Sequence, residues 1–586
     1  MYHTIKAFKM IGKNLKFTYL ATSYKYNMLK NNYNMFKILK KSVLTFVLIL
    51  PFLFSFQKAE ATHVMGADIT YKCIDSLKFE FTISFYRWCA GAQFSSPETY
   101  IECATGGSPR TVSPTFVSIK EITPICATAS GECVPSNTTI SGAEGIEVHT
   151  YKITIDFKVA PYSNMVSCGK VRLRTGKCCR NSNINTGAAN AQFQTYAEID
   201  LGQSHCNSSP ALTSEPIAIL CCNQPFFFNN GALDTTDFDS LSYAWAQPKG
   251  SGSGSNLANI GYSGTNYAYN HPFQAFYPGS TGPPLAIPNA NPPVGIYLDP
   301  VTGDIILTPT RCDEITVAVI EVLEWRKDTL GIPRVVGTTR RDLQFITKTC
   351  PDNNPPIVNG PYAYNVCEGS QICFNVTTSD PVFTPPPPAS APAADTVKTS
   401  WNRGIPGASF NIINPTGINQ TGRFCWTPPL GSASDLPYTF TVTARDNACP
   451  LNAVAVRAFR VRVKHRAEAV VDIDTLLCGE YTVTSTPVDG FRGSPTYSWS
   501  LLDSNRNLIF NKKVAYFRST SSAISTRSTD TILFRAGGTY YIQHLVNNAP
   551  LNCPTTYFDT LVVPALLEAD LSIGPDTFVC AGTDIV

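Results

Sequence analysis

Residues 312–356 constrain this 586-residue chain more than any other run: CDEITVAVIEVLEWRKDTLGIPRVVGTTRRDLQFITKTCPDNNPP. Val317, Val319, Glu321 and Leu323 fall on one side of an alternating strand, and Ala318, Ile320, Val322 and Glu324 on the other. Asp328 to Pro333, with Gly331, supply a turn, and Val335, Val336, Leu343, Phe345 and Ile346 return as apolar strand positions. Cys312 and Cys350 bracket the hairpin and are candidates to close it as a disulfide. The DNNPP run then ends pairing, because proline has no N–H to give a ladder. A strand pair that exits through a polar, proline-rich junction predicts a string of β-sandwich modules.

The pieces ATHVMGADITYKC, DFDSLSYAW, DPVTGDIILTP, GTTRRDLQFITKTCPDNNPP, WNRGIPGASF and TGRFCWTP span most of the chain after Ala61. Together they resemble segments of large Bacteroidetes surface proteins, the gliding-motility-associated C-terminal-domain and PKD (polycystic-kidney-disease-like) domain proteins. The resemblance implies tandem Ig-like, PKD-like and cadherin-like sandwiches, and export by the type IX secretion route. That route needs a C-terminal sorting domain, absent from these residues, so the chain reads as the front of a longer protein.

Composition agrees with turn-rich β-structure: charged residues are 15%, against 43 prolines and 38 glycines. The formal charge of +3 supports no nucleic-acid partner. Twenty cysteines, with no CxxC pair among them, point to disulfides in an oxidising compartment ahead of zinc. Cys478 and Cys553 flank one module and are candidates to staple it.

In chain order, residues 1–34 fit no export signal and read as an extension from a misread start codon. Residues 35–61 read as a signal peptide: Lys37, Lys40 and Lys41, the apolar run SVLTFVLILPFLFSF, and an Ala59-Glu60-Ala61 cleavage site. A membrane anchor is the competing reading, but Pro51 and the shortness of the run disfavour a span, leaving none in the mature chain. A disulfide-rich β-domain is expected over 62–206, a sandwich with a long insertion over 207–350, an Ig/cadherin-like sandwich over 351–465, and a PKD-like domain over 466–565 with Trp499 buried between its sheets. Residues 566–586 would begin a further, truncated module.

Enzyme signatures are missing: no HExxH, GxSxG or P-loop occurs, and the seven histidines are scattered. The candidate ligand groups are acidic. Asp234, Asp237 and Asp239 alternate on one turn and suit a hard cation such as Ca²⁺. A second set, Asp352 and Asn354 with Asp446, resembles part of the cadherin linker motif and would fix the angle between modules. The competing reading of these carboxylates is solvated turn residues. A third pattern is Asp followed by Ser or Thr, which resembles the O-glycosylation signal of Bacteroidetes envelope proteins and marks Ser76, Thr235, Ser240, Thr329, Thr396, Thr475, Thr531 and Thr560.

These readings converge on a non-enzymatic, secreted cell-surface stalk or adhesin. Its partners would be polysaccharide or proteins of other cells and substrata, besides the secretion machinery, and no cofactor is expected other than Ca²⁺. The alternative is a carbohydrate-binding module or accessory region of a secreted polysaccharide-processing enzyme, with Tyr262, Tyr267, Tyr269, Phe273, Phe276 and Tyr277 as a stacking platform.

Overall fold

A computed structural model describes residues 64–580 apart from 90–95, 125, 127–132, 134–144, 217–218, 252–256, 351, 385–393, 450, 478 and 569–577, with side chains described to Ala565. The expectations for residues 1–63, Cys478 and the chain beyond 580 lie outside the described residues. Almost every described element is a strand, and a 3₁₀ turn at Ser163–Cys168 is the one helix among them. No described helix is long and apolar enough to cross a membrane.

The strand Pro333–Lys348 is the keystone of the first half of the chain. It returns from Ile315–Lys327 as the expected hairpin, with Val322 opposite Thr339. Its sixteen residues are buried for most of their length because it also has partners far away in sequence. Gly66, Ala67 and Asp68 of Val64–Asp75 pair with Leu343, Asp342 and Arg341. Ala197, Glu198 and Ile199 of Phe193–Asp200 pair with Thr339, Thr338 and Gly337. Ile219–Cys221 runs parallel to its end. One 14-stranded sheet therefore spans the expected boundary at 206/207, and residues 64–348 do not divide there. Alternation marks which face of a strand is buried but not which strand lies beside it.

A polar stretch, Arg340-Arg341-Asp342, passes through the middle of this sheet because each group is paired. Arg180 grips Asp342 with two bonds of 2.8 and 2.6 Å. Arg341 meets Asp68 at 3.2 Å and donates to the Tyr86 hydroxyl at 3.0 Å. Arg340 donates to the Tyr196 hydroxyl at 2.9 Å. Gly66 is required beside them, since a Cβ there would sit 2.0 Å from the carbonyl oxygen of Asp342.

Strands between Ile357 and Lys464 form two four-stranded sheets around Phe424, Phe440 and Phe459. The Phe424 and Phe440 rings stack at 4.4 Å. Strands between Ala469 and Val563 form another such pair of sheets. Trp499 is fully buried at its centre, as expected for the aromatic between sheets. Alternating burial along Gly538–Ala549 shows why its period-two pattern folds as a strand with one wet face.

The disulfides differ from those expected. Cys312 pairs with Cys222 and Cys350 with Cys221, not with each other. The two halves of the Cys221-Cys222 doublet thus reach the two strands at the open end of the hairpin. Cys553 pairs with Cys367 of the preceding sandwich, not with Cys478. Spacing cannot rank cysteine pairs; only the folded positions of their Cα atoms can.

Candidate functional site

The acidic turn after Ala232–Leu233 is built from its own side chains. The Asp234 carboxylate accepts the N–H groups of Thr236 and Asp237, each at 3.1 Å, and that of Asp239 at 2.8 Å. Asp237 accepts the Ser208 N–H at 2.5 Å. Asp239 is held by both arms of Arg326, each at 2.7 Å. Arg326 also donates to Asn207 at 2.7 Å and Ser204 at 2.9 Å. Of the three aspartates expected to share a cation, Asp234 and Asp239 come together, and the third group beside them is Glu324, not Asp237. The positive charge of this cluster comes from Arg326.

Glu324 is fully buried and accepts the Tyr71 hydroxyl at 2.9 Å and the Asn207 amide at 3.1 Å. Burial, with Asp234 and Asp239 nearby, pushes its carboxyl up to about 8. Burial therefore favours its protonated form. Gly337 faces it across the ladder, where a Cβ would approach its carboxylate to 1.9 Å.

The same turn holds Phe238 in a left-handed conformation, φ 57°, with its ring 65% exposed. A bulky residue rarely adopts this backbone, and the surrounding hydrogen bonds impose it. Phe238 stands at a cleft of about 340 Å³ between this turn and the following sandwich. Trp426, Tyr438 and Leu436 line the other side, and Asp234 and Asp239 belong to its lining. Trp426 and Tyr438 pack edge to face at 5.0 Å.

The two walls of the cleft are fixed to one another. Asp304 is buried and accepts the Ala458 N–H at 3.0 Å and the Arg457 guanidinium at 3.3 Å, both from the next sandwich. Val454 and Val456 of that sandwich belong to the core of the first sheet. Cys126 is bonded to Cys449 across the same joint. At the following joint Cys367 is bonded to Cys553, and Asn548 donates to the carbonyl of His465 at 2.9 Å.

At the DNNPP junction, Asp446 is partnered by Asn353 at 2.8 Å, the neighbour of the expected Asn354. Asp446 also accepts N–H groups from Ala453 and Ala448. Asn354 donates to the Pro381 carbonyl at 3.1 Å and accepts from Gln224 at 3.2 Å. Asp352 is exposed. Burial and the like charges of Asp446 and Asp395 push Asp380 up to about 7, and burial pushes Asp446 up to about 6.

The insertion aromatics mostly turn inward. Tyr262 donates to the Val317 carbonyl at 2.6 Å, Tyr267 donates to Glu314 at 2.8 Å, and Phe273 is buried in the core. Only Tyr269 among these six is exposed by a large fraction. The Asp-Ser/Thr hydroxyls lie at the surface: Ser76, Thr235, Thr329, Thr475 and Thr560 are exposed, and Ser240, Thr396 and Thr531 are half-buried. Sequence reasoning missed Glu324, Arg326 and Phe238 as parts of one site. The available signal was a charged pair at the end of an apolar strand, EWRK, facing an acidic turn.

No family model matches the chain. No curated protein matches it either. Among solved structures it is similar to the ICAM-5 D1–D4 ectodomain fragment, at 9% identity and TM-score 0.19, covering 85% of this chain and 99% of that one. It is similar to the N-terminal four Ig domains of Dscam1 isoform 6.44, at 10% identity and TM-score 0.18, covering 84% and 98%. It is also similar to zebrafish RET cadherin-like domains 1 to 4, at 11% identity and TM-score 0.15, covering 75% and 96%. Likenesses this distant carry nothing about function, and the all-β architecture of tandem sandwiches stands on the chain's own sheets.

Proposed function

We propose that this chain is an exported, non-enzymatic surface protein, a tandem β-sandwich stalk or adhesin of the gliding-motility-associated type that leaves the cell by the type IX route. The observation that carries the reading is covalent: Cys126–Cys449 and Cys367–Cys553 join successive sandwiches. Bridges between modules persist in oxidising, extracellular surroundings and serve a protein that must hold its parts in fixed order. The surface placement of the Asp-Ser/Thr hydroxyls supports glycosylation there, which adds bulk and solubility to an exposed stalk. Calcium is proposed at Asp446, which lies within the electrostatic reach of Asp380 and Asp395; the Asp234–Asp239 turn already has Arg326.

A second reading, saccharide recognition, is favoured by the cleft at Phe238. A cleft with an exposed aromatic ring at its mouth and Tyr438, Asp234 and Asp239 in its lining suits the apolar face and hydroxyls of a sugar.

Protease shaving of intact cells tests display, and attachment of protein-coated beads to glycan and protein surfaces tests adhesion. Release of the chain by external protease, with bead attachment above that of uncoated beads, is expected. A chain protected inside the cell, with no bead attachment, would contradict the proposal.

A further inference from the structure

Three disulfides follow one another along the chain so that each bypasses a large block of it. Cys73–Cys206 closes off 74–205, Cys221–Cys350 closes off 222–349, and Cys367–Cys553 closes off 368–552. The blocks do not overlap, and short stretches lie between them. A pull entering at Val64 and leaving at Val563 therefore runs through 64–73, 206–221, 350–367 and 553–563 only. That is about 50 residues instead of about 500, and at up to about 3.5 Å per residue it limits the stretched length, bridges included, to about 200 Å instead of about 1,750 Å.

We propose that this arrangement makes the protein an inextensible tension-bearing tether, in which the folded blocks stand outside the line of force. The cleft at Phe238 benefits directly. One wall lies in the 222–349 block and the other in the 368–552 block, so neither can be drawn out into the line of force while the bridges hold. The buried Asp304–Arg457 contact joins the two walls directly, and Cys126–Cys449 ties the 368–552 block to the 74–205 block, which shares the first sheet.

The network also has a reserve. If Cys221–Cys350 is absent, the load passes through Cys89–Cys133, Cys126–Cys449, Cys373–Cys425 and Cys367–Cys553. This detour takes about 70 residues and lengthens the limit to about 280 Å. Cys367–Cys553 has no such substitute. Without it the shortest route runs from Cys449 along the chain to Val563, and the limit rises to about 520 Å. The last joint is the critical bridge.

The use of this device rests on the surface-stalk reading; its mechanics do not. Failure of protease shaving would leave the tether intact, and failure of the following measurement would leave surface display intact. Single-molecule stretching of the full chain, with handles beside Val64 and Val563, reads the final contour length directly. This length depends on which bridges have formed and not on how stable the folded blocks are. About 200 Å is expected in non-reducing buffer, about 280 Å for Cys221→Ala with Cys350→Ala, and about 520 Å for Cys367→Ala with Cys553→Ala. Dithiothreitol, supplying two electrons and two protons per bridge, is expected to release the full length of about 1,750 Å. An unreduced wild-type chain that extends beyond about 500 Å, or equal lengths for the two double variants, would overturn the proposal.

Discussion

Glu324 shows how one buried group sets a pH dependence. Its carboxyl titrates near 8 in the fold, above the ordinary value of 4.5. The folded state thus binds this proton more tightly than the unfolded state does. Its contribution to stability is complete below about pH 4.5 and is lost as pH rises through about 8, at up to about 1.4 kcal/mol per pH unit. Glu324→Gln cannot titrate and keeps an acceptor for Tyr71. We expect the variant to match the wild type near pH 5 and to melt at a higher temperature near pH 8, by calorimetry; equal melting at both pH values would show that the acid is not held protonated. His544 shifts oppositely. It stacks on Trp499 at 3.8 Å, and burial pushes its imidazole down to about 4. The neutral ring is what the last pair of sheets holds, so its contribution is present above about pH 6.5 and lost as pH falls through about 4. Replacing it by phenylalanine is expected to flatten that acid limb in a thermal-melt series.

At the scale of elements, the hairpin at 312–350 was legible from alternation alone, as were the buried Trp499 and the all-β class. Its role as keystone was not, because the edge of Pro333–Lys348 away from its hairpin mate takes partners that no local pattern identifies. The Arg340-Arg341-Asp342 stretch reads as an exposed polar face in sequence; in the sheet, Arg180, Asp68 and Tyr196 make burial tolerable. Removing one partner exposes the cost. Asp342→Ala leaves Arg180 buried without its counter-charge, and a loss of about 3–5 kcal/mol is expected in denaturant unfolding. Arg180→Met combined with Asp342→Leu should lose much less. If the single and double changes cost the same, the pair is not coupled. Trp499→Ala should cost a similar amount, about 3–5 kcal/mol, through the cavity it leaves in the last sandwich. The candidate site was half legible: the acidic turn stood out, but its cation turned out to be an arginine nearly ninety positions away. Phe238→Ala removes an exposed ring and should leave the melting temperature unchanged. On a glycan array it should abolish any binding shown by the wild type, and full retention would place sugar recognition elsewhere.

The whole molecule is held in order by bridges that cross between modules. A chain of sandwiches joined by proline-containing linkers bends freely unless its joints are packed or bonded. Here the first joint has a shared core, a buried ion pair and Cys126–Cys449, and the second has Cys367–Cys553 with its hydrogen-bonded surround. Cysteine spacing suggested staples within modules, because neighbours in sequence are the natural first guess. The long sequence separations of 323 and 186 residues lie beyond what spacing can rank. The covalent map is therefore the central claim, and peptide mapping tests it most directly. Proteolysis of the unreduced, thiol-blocked protein followed by mass spectrometry should yield Cys126 linked to Cys449, Cys367 linked to Cys553, Cys221 linked to Cys350 and Cys222 linked to Cys312. Recovery of Cys312 linked to Cys350, or of Cys126, Cys367, Cys449 and Cys553 as blocked free thiols, would contradict it.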